Sequence, residues 1–296
     1  MPDADAAPHG SCRRGNSETQ DHAEEKEIQK RRIMRKIHET TKRKKAGKMA
    51  GKYTPEKILS LLEDLPEDAA VSMMIRHSER ELTDQDVVPF GTRLTPRGIR
   101  MAEDFGKKLP EHFTKTFRTS PVPRSRETLL HIAGGAAGFP EMIEADFEDP
   151  DIFSGLTGPA DIACFPKLED SVILGKPGAY VTDRDVTRQL FMAEGTIGLT
   201  NRYLDEGILP GFRPLADGTD ILMKFLTDDL RPGNISINVS HDATVASLLG
   251  DLTGIRFSEK NWIPFIGGIV FVREKGGKTI LYDGDGTWDP EEDDIL

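Results

Sequence analysis

The chain has little of several things, and each shortage excludes a class of protein. Only two of its 296 residues are cysteines, Cys12 and Cys164, and they lie far apart in sequence. Neither a disulfide framework nor a zinc site is therefore indicated. No apolar run approaches the roughly 20 residues needed to span a bilayer, and the polar N-terminus does not resemble a secretory signal. These absences predict a cytoplasmic protein without a membrane partner.

The charge is distributed unevenly along the chain. Residues 1–50 hold 13 basic and 8 acidic side chains, whereas the remainder holds 26 basic and 42 acidic ones and accounts for the negative overall charge of −11. An acidic body does not favour nucleic-acid binding, which relies on basic side chains that neutralise phosphates. Large apolar residues are also few before residue 51. We therefore predict a disordered or fraying basic tail over residues 1–50 and a catalytic domain over residues 51–296.

Helical and strand-like segments alternate from residue 51 onward. Helices are predicted to begin at Pro55 and Pro96, each after a threonine suited to capping, and to cover residues 124–132, 217–230 and 243–249. The run Gly134–Gly138 is predicted to end a helix. Buried strands are predicted over residues 69–75, 115–119 and 235–240, with a closing hairpin over residues 266–273 and 278–282. This alternation predicts an α/β fold, a three-layer α/β/α sandwich with a mainly parallel central sheet.

Three of the predicted strands end on histidine or arginine. His77 follows the first strand between Arg76 and Arg80, Arg124 follows the second at the start of a helix, and His241 follows the third. Ligands bind outside the carboxyl ends of parallel strands, so these side chains are expected to meet at one edge of the sheet. Guanidinium groups keep their charge and present a fork that suits phosphate. The pattern indicates phosphate chemistry through histidine.

These residues belong to ordered sequence elements that resemble a known family. The elements are Arg-His-x-x-Arg at Arg76, His77 and Arg80, Leu-Thr-x-x-Gly at Leu94–Gly98, Ser-x-x-x-Arg-x-x-x-Thr at Ser120, Arg124 and Thr128, and a late histidine at His241. Over about residues 69–283 the chain resembles the histidine phosphatase superfamily, which includes cofactor-dependent phosphoglycerate mutases and histidine acid phosphatases. The resemblance implies a phosphoglycerate mutase-like fold.

The resemblance also implies a role for each site residue. His77 would attack phosphorus through a neutral ring nitrogen and form a phosphohistidine that water then hydrolyses. Arg76, Arg80, Arg124 and His241 would bind the phosphoryl group and stabilise the charge on its oxygens. Neither a metal nor a cofactor is implied.

The proton donor to the leaving oxygen has several candidates. In the acid-phosphatase branch of the family this acid is the residue after the second histidine, here Asp242. In the mutase-like branch it is a glutamate after the third element, and Glu144 is the nearest match, although the sequence departs from the family pattern beyond it. Asp242 is preferred because its position ties it to the site. Asp146, Glu148 and Asp151 are further alternatives.

The sequence thus predicts a phosphomonoester hydrolase, a metal-independent histidine phosphatase. One alternative is a phosphoglycerate-type mutase, although the longer Glu-Arg-His-Tyr-Gly motif of such enzymes is absent. Another is a regulatory module that binds phosphorylated protein with little turnover. The expected partner is a phosphorylated small molecule or a phosphoprotein. An inserted cap region around residues 145–205 is predicted to set substrate choice.

Deleting residues 1–50 is expected to leave the melting temperature and the turnover of a small phosphate ester unchanged. The segment holds too few apolar residues to contribute to a core. Thermal unfolding and an aryl phosphate assay on the full chain and on residues 51–296 check this. A large fall in melting temperature after truncation would show that the tail packs on the domain.

Overall fold

The computed structural model describes residues 53–83, 88–138, 147–149, 151–152, 167–228, 230–273 and 279–282. The predicted tail over residues 1–50, together with Glu144 and Asp146, lies outside the described residues. The helices are α1 (Pro55–Asp64), α2 (Pro96–Lys107), α3 (Pro123–Ala137), α4 (Arg184–Glu206), α5 (Leu215–Thr227) and α6 (Asp242–Thr253). The strands are β1 (Ala70–Arg76), β2 (Thr114–Thr119), β3 (Leu168–Asp170), β4 (Asn234–Ser240), β5 (Gly268–Arg273) and β6 (Thr279–Tyr282).

These strands form one sheet of six in the order β3-β2-β4-β1-β5-β6. Neighbours from β3 to β1 run parallel. Strand β5 is antiparallel to β1, and β6 returns antiparallel to β5 as the predicted closing hairpin. The predicted α/β fold with a mainly parallel sheet is confirmed.

Side chains that alternate along β1 divide the core into two layers. Val71, Met73 and Ile75 are buried in a cluster with apolar residues of α1, α2 and α3. Met74 belongs instead to a second cluster that includes residues of α4, α5 and α6. Successive side chains of a strand point to opposite faces, so helices cover both faces of the sheet. The predicted three-layer α/β/α sandwich is confirmed.

The early helix starts follow the predicted capping chemistry. The hydroxyl of Thr54 accepts a hydrogen bond from the amide of Lys57, and that of Thr95 accepts one from the amide of Gly98. Each threonine precedes a proline whose fixed φ suits the first helical position. At Gly98 an added Cβ would lie 2.0 Å from the carbonyl oxygen of Glu79. The first turn of α2 therefore packs directly on the backbone that follows His77.

The end of α3 differs from the prediction. Residues Gly134 and Gly135 continue the helix, which ends at Ala137 with Gly138 as a left-handed cap at φ 79°. A Cβ at Gly135 would lie 2.2 Å from the carbonyl oxygen of Glu103 in α2. The glycines inside the helix therefore serve the close approach of α2 and α3, and only Gly138 acts as the predicted stop.

The segment predicted to form a cap contains elements of two kinds. Strand β3 lies within it and is the edge strand of the sheet, beside β2. Helix α4 follows and is interrupted at Gly195, whose φ is 69° and ψ is 164°. Leu199, Tyr203 and Leu204, beyond the interruption, are buried in the same cluster as residues of α6. The part of α4 beyond Gly195 therefore packs against α6.

Substituting Gly135 by alanine is expected to lower the free energy of unfolding by about 1–3 kcal/mol, because the added methyl overpacks the contact between α2 and α3. Gly198 is the matched control, since it is an exposed helical glycine where a Cβ meets only ordinary contacts. Gly198→Ala is expected to raise the same free energy by about 0.5–1 kcal/mol. Urea unfolding of both variants tests the contrast, and equal effects would contradict the packing role.

Candidate active site

The carboxyl ends of β1, β2 and β4 meet at a cavity of about 340 Å³. The amide of His77 donates to the carbonyl of Ser240 at 2.9 Å, which continues the pairing of β1 with β4 by one residue. His241 follows β4 directly, and Arg124 lies in the first turn of α3 after β2. The cavity is lined by the predicted phosphate-site residues and the preferred acid: Arg76, His77, Arg80, Arg124, His241 and Asp242. The structure thus brings together residues that lie up to 166 positions apart in the chain.

A hydrogen bond fixes the proton of the His77 ring. Nδ1 of His77 lies 2.8 Å from the carbonyl oxygen of Ser78. A carbonyl only accepts, so Nδ1 carries the proton and Nε2 is left with a lone pair. Nε of Arg124 donates to that lone pair at 3.2 Å. Burial, and then the positive charges of Arg124 and Arg76, lower the pKa of His77 from 6.5 to about 3.

Residues of two helices hold the loop that carries His77. Ser78 is fully buried, and its hydroxyl donates to the carbonyl of Gly98 at 2.7 Å. Its amide donates to the hydroxyl of Thr128 at 2.9 Å, and that hydroxyl donates in turn to the carbonyl of Arg124 at 2.7 Å. These bonds give the Thr128 and Gly98 positions of the sequence elements a physical role, which is to fix the loop relative to α2 and α3.

The three arginines surround His77 with permanent positive charge. Arg76 donates to the carbonyl of Ile263 at 2.7 Å, and its guanidinium lies 4.2 Å from the centre of the Phe265 ring. Nε of Arg76 is buried and has no hydrogen-bond partner among the described residues. Burial, and then the charges of Arg80 and Arg76, lower the pKa of Arg124 to about 10 against the opposing effect of Asp242. At neutral pH all three guanidinium groups keep their charge.

His241 lies beside His77 and is also neutral. Their ring centres are 5.6 Å apart in an edge-to-face arrangement. Nε2 of His241 and the hydroxyl of Ser120 share a hydrogen bond of 3.0 Å. Burial, and then the charge of Arg124, lower the pKa of His241 well below 6.5. Ser120, the first residue of the third sequence element, therefore positions His241.

Asp242 is the only carboxylate that lines the described cavity. Its Oδ2 lies 3.1 Å from Nη2 of Arg76 and 3.3 Å from the indole nitrogen of Trp262. Its Oδ1 accepts from the amide of Ala243 at 2.8 Å. Burial alone would raise the pKa of Asp242, but the positive charges of Arg76 and Lys176 outweigh it and hold that pKa well below its usual range. Asp242 is therefore ionised in the free protein.

Two of the other predicted acids, Glu148 and Asp151, are exposed and do not line this cavity. Glu144 and Asp146 are outside the described residues. Among the described residues no group of three or more histidine, cysteine or acidic side chains is arranged to hold a metal ion. Asp242 is thus the predicted proton donor that the structure places beside His77.

Three basic residues at the cavity were not predicted from the sequence, namely Lys176, Arg184 and Arg188. Lys176 lies over the ring of Phe191, with Nζ 4.1 Å from its centre. Burial, and then the charges of Arg124 and Arg184, lower the pKa of Lys176 to about 8. None of the three follows a strand, so the pattern that identified the other residues could not find them. The one available signal is the spacing of Arg184 and Arg188, which puts both on one side of a helix.

Comparisons with known proteins give matches at the level of structure alone. No protein-family model matches the chain, and no curated protein matches it in sequence. YhfR from Bacillus stearothermophilus is 15% identical, covers 73% of this chain and 97% of its own, and has a TM-score of 0.44. A mycobacterial glucosyl-3-phosphoglycerate phosphatase is 11% identical, with 73% and 100% covered and a TM-score of 0.42.

A further match is a mutant phosphoserine phosphatase from Entamoeba histolytica, solved in complex with phosphoserine. It is 15% identical, covers 73% of this chain and 97% of its own, and has a TM-score of 0.39. Identities and scores this low do not transfer an activity or a substrate. Within the described part of this chain, no helix has the length and apolar character to cross a membrane.

The free energy of unfolding is expected to fall as the pH is lowered from 7 to 5. The unfolded chain binds protons on its histidines below about pH 6.5, whereas folded His77 and His241 stay neutral. A histidine whose pKa is depressed in the folded state therefore leaves the free energy of unfolding unchanged above about pH 6.5. Below that pH it lowers the free energy of unfolding, by about 2 kcal/mol for one imidazole at pH 5.

The variant His77→Gln is expected to show a shallower dependence, measured by urea unfolding at each pH. His112→Gln, which changes an exposed imidazole, is the control and should behave as the wild type. A variant at position 77 that keeps the full wild-type slope would show that His77 takes up a proton in the folded state.

Proposed function

We propose that the chain is a phosphomonoester hydrolase of the histidine phosphatase superfamily, acting through a phosphohistidine on His77. One observation carries the proposal. Nε2 of a buried, neutral histidine has a lone pair in a cavity whose charged side chains, among the described residues, are all cationic except Asp242. A neutral imidazole is a nucleophile, and surrounding guanidinium groups bind and activate a phosphoryl group. A core histidine in a structural role would not need this surplus of charge.

In the first step Nε2 of His77 attacks phosphorus, the N–P bond forms and the bond from phosphorus to the ester oxygen breaks. The arginines bind the phosphoryl oxygens, on which charge accumulates. A phosphoryl oxygen would accept a hydrogen bond from the buried Nε of Arg76. The Nε of Arg124 would donate to another phosphoryl oxygen instead of to Nε2 of His77. Because positive charge comes from side chains, the step as proposed needs no metal.

In the second step water attacks the phosphohistidine and the N–P bond breaks, which returns the neutral ring and releases inorganic phosphate. The bond from Nδ1 to Ser78 persists through both steps and disperses positive charge on the phosphorylated ring. His241 and Asp242 line the same cavity as His77. Either side chain can hold the proton that the attacking water loses.

The leaving oxygen of the first step must gain a proton, and Asp242 is the proposed donor. As a carboxylate paired with Arg76 it has no proton to give in the free protein. An entering phosphate changes this balance, since its negative charge competes for Arg76 and disfavours a second anion beside it. A monoanionic ester can also supply the proton, which Asp242 would then relay. Activity should accordingly be favoured where the ester keeps one proton, at mildly acidic pH.

The two alternative functions require other behaviour from the same cavity. A mutase must retain the phosphorylated enzyme against water, and a binding module must hold the phosphoryl group without attack. An unprotonated Nε2 on His77, with a carboxylate among the lining residues, supports turnover over simple binding. Release of phosphate from an aryl phosphate separates hydrolysis from both alternatives, and transfer between hydroxyls of an acceptor would identify the mutase.

His77→Ala is expected to abolish turnover, because no other described side chain presents an equivalent nitrogen with the same surroundings. Asp242→Asn is expected to lower the rate on alkyl phosphates by ~10²–10⁴-fold, the usual range for general acid catalysis. The loss on nitrophenyl phosphate should be much smaller, since its leaving group is stable without a proton. Steady-state kinetics with matched alkyl and aryl substrates measure both effects.

Glu144→Gln provides the contrast for the Asp242 assignment, because the two carboxylates are candidates for one role. The Gln variant should show the wild-type ratio between alkyl and aryl substrates. If it shows the leaving-group-dependent loss and Asp242→Asn does not, Glu144 is the acid and the mutase-like branch is the better description of this chain.

A further inference from the structure

The outer wall of the cavity carries two arginines in addition to the three around His77. Arg184 and Arg188 lie on the first two turns of α4 and line the cavity. Their spacing of four residues places them on one side of the helix. Both are exposed, and neither forms an ion pair with a carboxylate among the described residues. The pair is therefore available to a ligand.

Capping of the N-terminus of α4 does not explain the presence of Arg184 and Arg188. Oδ1 of Asp183 accepts from the amides of Asp185 and Val186, so a side chain of the protein already caps the helix start. Two guanidinium groups at this spacing repel each other. The arrangement costs stability while no anion lies between them, which favours a role in binding.

The charge of Arg184 reaches the inner site. It is among the groups that lower the pKa of Arg124 and of Lys176, so the outer and inner cations act on one space. A phosphoryl dianion next to His77 is already faced by Arg76, Arg80 and Arg124. Arg184 and Arg188 add positive charge beyond what one phosphoryl group requires, although the protein as a whole has a net charge of −11.

We propose that Arg184 and Arg188 bind a second anionic group of the substrate. The inference rests on the proposed function and names the substrate class, a small phosphate ester that carries a further phosphate or carboxylate. The cavity of about 340 Å³ matches a small molecule. The aromatic rings of Phe90 and Phe191 line the same cavity and border the carbon skeleton between the two anions.

Two substrates that share an alkyl leaving group test the inference, namely butane-1,4-diyl bisphosphate and butyl phosphate. For the wild type, kcat/KM is expected to be at least ~10-fold higher for the bisphosphate, since charge-assisted bonds from arginine to phosphate are strong and paired. The double variant Arg184→Gln/Arg188→Gln is expected to lose most of that preference. The control Arg100→Gln/Lys260→Gln removes the same charge from exposed positions away from the cavity and should keep it.

The outcomes separate this inference from the proposed function. If both substrates are hydrolysed and the double variant keeps the wild-type preference, the second anion does not bind to Arg184 and Arg188. If neither is hydrolysed, turnover of nitrophenyl phosphate still decides the proposed function, and calorimetric binding of the two compounds decides the inference. A Kd for the bisphosphate that rises ~10-fold or more in the double variant, and not in the control, supports it. An equal Kd in all three proteins overturns it.

Discussion

The chemistry of the cavity depends on the hydrogen bond from Nδ1 of His77 to the carbonyl of Ser78, 2.8 Å long. It holds the ring proton on the side away from the cavity, so that Nε2 has a lone pair directed at Arg124. Burial opposes protonation of that nitrogen and lowers the pKa of His77, and the charges of Arg124 and Arg76 add to this effect. The groups that would bind a phosphoryl group therefore also keep its nucleophile neutral.

Holding that hydrogen bond in place is the task of the surrounding fold. The loop after β1 is tied to α2 through Ser78 and Gly98, and to α3 through Thr128. Helix α3 is itself packed against α2 at Gly135, so a change at that contact would move both supports of the loop. Side chains at the carboxyl ends of parallel strands are commonly used for binding because the sheet fixes their positions. Here the sheet also fixes the direction in which one imidazole faces.

The described side chains that line the cavity carry a net positive charge, which suits a bound anion. Asp242 pairs with Arg76, and the other described cations that line the cavity form no ion pair with a described carboxylate. Under the proposed function, a bound phosphate ester would neutralise this positive charge. Under the same proposal, Asp242 is ionised in the free protein and the charge of the substrate would make it an acid.

The sequence could place Arg76, His77 and His241 at one edge of the sheet because these residues follow strands. Arg76, His77 and His241 are each within one residue of the end of an apolar run, and parallel strands bring such ends together. The outer residues could not be found this way. Lys176 lies in a turn and Arg184 in a helix after it, and only the fold brings either beside Arg124. The glycines of α3 predict the end of a helix, because a contact between two helices cannot be recognised in a single sequence.

The stereochemical course at phosphorus tests the central claim, a covalent intermediate on His77, most directly. An aryl ester of isotopically chiral thiophosphate is hydrolysed and the configuration of the product is determined. Two successive displacements, one by His77 and one by water, invert phosphorus twice, so the account predicts overall retention. Overall inversion would show that water attacks the ester directly, and the proposed role of His77 as nucleophile would then be wrong.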